Sequence, residues 1–252
     1  MNYEDLTRAL YDRVLPALGL DPALALQGFR AEHSFPVAIR FTSGGYRCFP
    51  EIDKKGAIKR WQLLASADPA MLVRWAWKFK QADFSMLTGR ENGVVILDYD
   101  GEAGCKTLEE LEKRLGTLPP TWRVSSGKPN SGHIWLKPPP GSDDLRNQQP
   151  IKVDGVRYKL DVRGWHGHGV LAGARHSSGR RYKWQPNSAP DEVELAECPP
   201  SWWAFLPKKE FFKSQSDRPH RTSKARSRIV RQHDPSSFRI GEGQESGGLN
   251  QP

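Results

Sequence analysis

Residues 93–99, Gly-Val-Val-Ile-Leu-Asp-Tyr, constrain the fold more than any other stretch of the chain. Apolar and aromatic side chains crowd together there with no polar alternation before the aspartates, the pattern of a strand covered on both faces. Such a strand belongs at the centre of a sheet, and the chain must supply cover for each face. The run ends in Asp98-Tyr99-Asp100-Gly101. Residues two apart on a strand point the same way, roughly 7 Å apart at about 3.3 Å per residue, so both carboxylates can converge on one place. A pair held so close calls for a cation. Magnesium and manganese take hard oxygen donors of this kind, usually one or two carboxylates completed by substrate phosphates. The plainer alternative is that one aspartate caps a turn while the other is solvated.

The surrounding pattern predicts a mixed architecture. Asn2 and Asp5 mark a helix start, and Leu6, Leu10, Val14 and Leu18 recur at helical spacing, so Tyr3 to Leu18 reads as an amphipathic leader helix. Phe35 to Thr42, β-branched and aromatic, reads as a strand entering a Gly44-Gly45 turn. Asp68 and Pro69 open a helix with Leu72, Trp75, Ala76 and Phe79 on one face. Thr107 and Glu110 form a capping-box pair for another, which stops at Gly116. Short strand signals follow at Trp122 to Ser125, His133 to Lys137, Tyr158 to Arg163, Gly169 to Ala172 and Arg181 to Trp184. A last apolar stretch, Trp202, Trp203, Phe205 and Leu206, is expected to dock on the body.

Two further clusters carry polar chemistry. Ser125 to His133 is a Ser, Gly and Asn-rich loop containing Lys128 and Ser131, a composition that exposes amides and positive charge to phosphate but also suits an ordinary turn. Asp161 interrupts an apolar strand end in Leu160-Asp161-Val162-Arg163, where it needs a metal or a partner such as Arg163 or Lys159. His166, His168 and His176 invite a zinc reading, but no Cys pattern or HExxH motif accompanies them.

The order of these pieces resembles the archaeo-eukaryotic primase superfamily, and within it the bifunctional primase/polymerase (prim-pol) N-terminal domain of phage and plasmid replication proteins. An apolar strand ending in DxDG, a Ser-x-His unit 33 residues beyond Asp100 and an apolar-Asp unit 28 residues beyond His133 correspond to the three motifs. The resemblance runs from about Phe35 to Trp184 and takes in PVAIRF, Lys59-Arg60-Trp61, Ala67-Asp68-Pro69, SGKPNSGH, LDVRG and RHSSGRRYKW. It implies an α+β prim-pol catalytic domain with an RRM-like sheet, antiparallel or mixed, and helices on one side. It also implies Asp98, Asp100 and Asp161 as catalytic ligands of two Mg2+ or Mn2+ ions, with NTP or dNTP as substrate. Lys128, Ser131, His133, Arg175 and His176 would bind the nucleotide. The activity implied is synthesis and extension of primers on single-stranded DNA. The alternative is an inactive DNA-binding module of the same fold that works with a separate helicase. Arg40, Lys59 and Arg60, with Trp61 and Trp165, are the candidate DNA contacts, because single strands are held by phosphate charge and base stacking.

Composition sets the outer limits. An apolar content of 37% with 23 glycines excludes fibrous and wholly disordered chains. No apolar run approaches the roughly 18 residues of a membrane helix, and the first thirty residues lack a signal-peptide core, so a soluble cytoplasmic protein is expected. Three widely spaced cysteines exclude a disulfide framework. Nine basic residues from Lys208 to Arg231, against Glu210 and Asp217, carry a net +7 of the chain's +9, a charge that attracts polyanions without sequence preference. The expected organisation is a helical leader over 1–34, a catalytic domain over 35–206 and a basic disordered tail over 207–252.

Overall fold

The computed structural model describes Pro16, Phe29, 31–142 and 145–206. The leader helix and the basic tail lie outside the described residues.

Helix α1 (Ser34–Ser43) occupies the stretch whose composition predicts a strand. That expectation is wrong for a physical reason. Phe35, Val37, Ala38, Ile39 and Phe41 are all buried, so the helix is apolar nearly all round, and a short continuous apolar run does not separate a buried helix from a buried strand. Local chemistry decides. His33 Nδ1 accepts from the Phe35 amide at 3.2 Å, and Pro36 sits in the first turn, where its missing N–H costs no helical bond. The Gly44-Gly45 turn follows as expected.

Strands β1 (Cys48–Ile52) and β2 (Lys55–Gly56) form a hairpin, followed by α2 (Trp61–Leu64) and α3 (Pro69–Lys78). Helix α3 starts where the sequence places it, with Asp68 accepting from the Ala70 amide at 2.9 Å. Next come β3 (Asp83–Leu87), β4 (Val95–Tyr99) and α4 (Gly101–Leu115). Helix α4 opens six residues before the Thr107 capping box. Ser131, from a distant loop, accepts the Gly101 amide at 2.9 Å, while Thr107 Oγ1 donates back to the Ala103 carbonyl inside the helix. The remaining elements are β5 (Arg123–Ser125), β6 (Gly132–Leu136), β7 (Lys152–Val153), β8 (Val156–Arg157), β9 (Leu160–Arg163), β10 (His168–Val170), β11 (Lys183–Trp184) and α5 (Pro200–Phe205).

The larger strands form two antiparallel sheets, in the orders β10-β3-β1-β2 and β11-β5-β6-β4-β9, and β7-β8 is a small separate hairpin. The apolar run over 93–99 indeed supplies a strand bonded on both sides, β4, with β6 on one edge and β9 on the other. Its two faces meet different layers. Val95 and Leu97 pack with Leu108 and Leu111 of α4 and with Trp202 and Trp203 of α5. Val94 and Ile96 join Trp135, Val124 and Tyr182 in the core shared with α1 and the four-stranded sheet. Asp98 continues the Ile96 face of β4, so the acidic end of the strand is an extension of that second layer.

Candidate functional site

The register of the five-stranded sheet assembles the site. Asp98 on β4 lies directly opposite His133 on β6 and directly opposite Asp161 on β9. Directly opposed residues in antiparallel strands project from the same face with Cβ atoms about 5 Å apart. Three polar side chains from segments far apart in sequence therefore meet at one point. Asp100 stands just past the strand, where Gly101, at φ 69, turns the chain into α4. Asp100 holds the N-cap position of that helix, yet its carboxylate does not cap it. It accepts from Ser131 Oγ at 2.8 Å and pairs with Lys128 Nζ at 3.0 Å.

Charge compensation in the cluster is uneven. Bonds from Lys128 and Ser131 hold the Asp100 carboxyl below its ordinary pKa. Burial, reinforced by the charges of Asp98 and Asp100, raises that of Asp161 despite the opposing influence of Arg163. Arg163 bridges the other two acids, with Nη2 2.7 Å from Asp98 Oδ2 and 3.2 Å from Asp161 Oδ2. His133 is buried and neutral at pH 7, because desolvation lowers its pKa more than Asp98 raises it. Its Nε2 lies 3.7 Å from Asp98 Oδ1, and its Nδ1, buried, has no hydrogen-bond partner among the described residues.

The loop between β5 and β6 is pinned against the hairpin that carries His176. Ser178 Oγ donates to the Gly127 carbonyl at 2.9 Å and lies 2.9 Å from His176 Nδ1. A Cβ on Gly127 would fall 2.6 Å from the His176 Cβ, so only glycine allows this approach. Lys128 and His176 thereby both lie within reach of Asp100, and the charges of Lys128 and Asp100 act on the His176 imidazole.

Arg175, expected at the nucleotide, is engaged elsewhere. Arg175 turns to Asp83 Oδ2, to which its amide and Nε donate at 3.2 and 3.0 Å, and to the Gln81 carbonyl. Asp83 also accepts from Ser34 Oγ and so links α1 to this arginine, which is not brought to the aspartates. Arg40 lies at the end of α1 over the Phe29 ring, and Lys59 and Arg60 are exposed at the start of α2. Trp61 stacks on Phe49 at 4.5 Å, whereas Trp165 carries the guanidinium groups of Arg90 and Arg146 at 4.1 and 5.3 Å from its ring centroid.

Lys54 is a site residue that sequence reasoning missed. It sits in the tight β1–β2 turn at φ 62, its Nζ 5.9 Å from the Tyr182 ring centroid, and its charge acts on Asp100, His133 and His176. Without β1 in the expected strand set, nothing pointed to that turn.

A family model described as Bifunctional DNA primase/polymerase, N-terminal (Prim-Pol) matches residues 25–202, more than half of the chain. The chain belongs to the Prim-Pol family. No curated protein matches it. Prim-Pol membership points to DNA primase/polymerase chemistry of the nucleotidyltransferase type, to DNA and nucleotides as binding partners, and to the divalent metals that enzymes of the family generally use. The α+β architecture with antiparallel sheets accords with it. Among the described residues, no three His, Cys, Asp or Glu side chains form a ready metal cage, and no helix is long and apolar enough to cross a membrane. The donors around Asp98 nonetheless fit a hard divalent ion. They are carboxylate oxygens, and the gap between two of them already holds positive charge, supplied by Arg163.

Proposed function

We propose that this Prim-Pol domain synthesises and extends primers on a single-stranded DNA template by metal-dependent nucleotidyl transfer. The observation that carries the reading is the register of β4, which sets Asp98 between Asp161 and His133 with Asp100 one step beyond. Asp98, Asp100 and Asp161 would hold two divalent ions, which when bound supply Lewis-acid activation of a 3' hydroxyl and neutralisation of triphosphate charge. The chain's own residues do the positioning. Lys128 and Lys54 bring positive charge to the triphosphate from opposite loops. Neutral His133, whose Nε2 faces Asp98, would present its ring edge to a phosphate without adding charge. Ser131 keeps Asp100 in line, and the Gly127 contact fixes the loop that carries Lys128. Catalysis of this kind is positioning and charge stabilisation, with the carboxylates as ligands and not nucleophiles.

The template would run over the basic surface that includes Arg40, Lys59 and Arg60, with the stretch from Lys208 to Arg231 adding salt-dependent affinity. The five-stranded sheet with α4 on its outer face is the part expected to correspond to an RRM-like layout.

One observation favours a second reading. Arg163 already neutralises Asp98 and Asp161, as it would in a DNA-binding module of this fold that has lost catalysis and serves a separate helicase. Nucleotide incorporation on a primed single-stranded template with Mn2+ separates the two. The polymerase reading expects extension by the wild type and none by Asp98→Ala or Asp100→Ala. Extension by both variants at the wild-type rate would overturn the assignment, and a wild type that binds template but never extends would establish the module.

A further inference from the structure

Arg163 follows Asp161 by two residues on β9 and stands opposite Ile96, which precedes Asp98 by two on β4. The pleat therefore projects Arg163 from the face that carries both acids, and its side chain lies diagonally across them. Nε and Nη2 donate to Asp98 Oδ2 at 3.2 and 2.7 Å, and the same Nη2 donates to Asp161 Oδ2 at 3.2 Å. A single nitrogen thus lies between one oxygen of each carboxylate. The Gln149 side-chain amide lies against the far side of the guanidinium. Asp100 belongs to a different set of partners, Lys128 and Ser131.

Two carboxylates facing each other across adjacent strands repel, and the sheet register leaves them no room to separate. A cation between them relieves that repulsion. In the structure that cation is Arg163.

We infer that Arg163 is a cationic placeholder: its guanidinium occupies the seat between Asp98 and Asp161 that a divalent ion takes, so that metal loading and the Arg163 bridge exclude each other. The inference rests on the metal-site reading above and adds a consequence to it. Metal affinity in the absence of nucleotide is held down by the work of displacing the guanidinium, and the displaced guanidinium becomes a free cation beside the triphosphate. Nucleotide and metal should then load together more readily than either does alone, because the phosphates give Arg163 a new partner.

Mn2+ binding to the full chain without nucleotide, followed by electron paramagnetic resonance, tests this for the wild type and for Arg163→Gln, Arg163→Lys and Asp98→Asn. Removing a guanidinium that makes three charged hydrogen bonds to the two acids should tighten Mn2+ binding in Arg163→Gln by about tenfold or more. Arg163→Lys should fall between, because one ammonium cannot span both carboxylates as the planar fork does. Thermal unfolding gives a second readout. Arg163→Gln should melt lower than the wild type without metal and be raised further by Mn2+. Should Arg163→Gln fail to fold, the lysine variant carries the test alone. Unchanged or weaker Mn2+ affinity in the folded variants, with binding still lost in Asp98→Asn, would overturn the placeholder and leave the metal site standing. Equal Mn2+ binding by the wild type and Asp98→Asn, or none by any variant, would overturn the metal site and with it this inference.

Discussion

Glu51 on β1 and His168 on β10 reach towards each other over one face of the four-stranded sheet, with His168 Nε2 3.7 Å from Glu51 Oε2 and Ser85 Oγ donating to the same oxygen at 2.6 Å. Burial raises the Glu51 carboxyl from 4.5 to about 7 and lowers the His168 imidazole from 6.5 to about 4. The folded pair therefore binds one proton from about pH 4 to about pH 7. The unfolded chain, with both groups at their ordinary values, also binds one proton between 4.5 and 6.5, on the histidine. The two contributions to the pH dependence cancel over that window.

Glu51→Gln breaks the cancellation. In that variant the unfolded chain takes up a proton as pH falls below 6.5, while the folded His168 resists until about 4. Stability must then fall with acidification, at up to about 1.4 kcal/mol per pH unit, or about 2 kcal/mol in all from pH 6.5 to 4.5. His168→Gln leaves the opposite slope, because a carboxyl raised in the folded state loses stability as pH rises from 4.5 towards 7. Urea unfolding at pH 4.5, 5.5 and 6.5 on the wild type and both variants measures this directly. Two variant curves that stay parallel to the wild type across the window would refute the shared-proton account.

Two further outcomes follow from the same structure. Trp202 is fully buried against the α4 side of the five-stranded sheet, with its indole donating to the Gly116 carbonyl at 2.7 Å. Trp202→Ala should cost about 3–5 kcal/mol in chemical denaturation, while activity per folded molecule is retained because the acids lie on the other face; a loss under about 1 kcal/mol would contradict that packing. Lys54→Ala, in an exposed turn, should leave stability unchanged yet weaken binding of a nucleoside triphosphate much more than that of the nucleoside. Equal weakening of both ligands would remove Lys54 from the phosphate site.

The centre of the fold was legible because its signal is unambiguous. An apolar run with no alternation requires cover on both faces, and β4 has α4 and α5 on one side and the second layer on the other. The later strands β5, β6, β9, β10 and β11 were legible from their flanking Gly, Pro and Asn. What failed did so where polar residues are buried or apolar ones are buried all round. β3, with Asp83 and Ser85, and β1, with Glu51, have buried polar groups satisfied by distant partners, Ser34, Arg175, His168 and each other, and those partners are invisible along the chain. α1 failed for the converse reason, having almost no polar face to reveal its period. The site divides in the same way. Asp98 and Asp100 announce themselves through strand alternation, and Arg163 was already apparent as a partner of Asp161. Its hold on Asp98 depends on the β4–β9 register, which sequence does not give.

The central claim is that Asp98, Asp100 and Asp161 form one cation-binding centre beside His133. A crystal of the full chain grown with Mn2+ and a non-hydrolysable nucleoside triphosphate, with data collected at the manganese absorption edge, tests it most directly. The account predicts anomalous signal in contact with these three carboxylates, with the phosphates against Lys128 and His133. Bound nucleotide with manganese held elsewhere, or with Asp98 and Asp161 still bridged by Arg163, would contradict it.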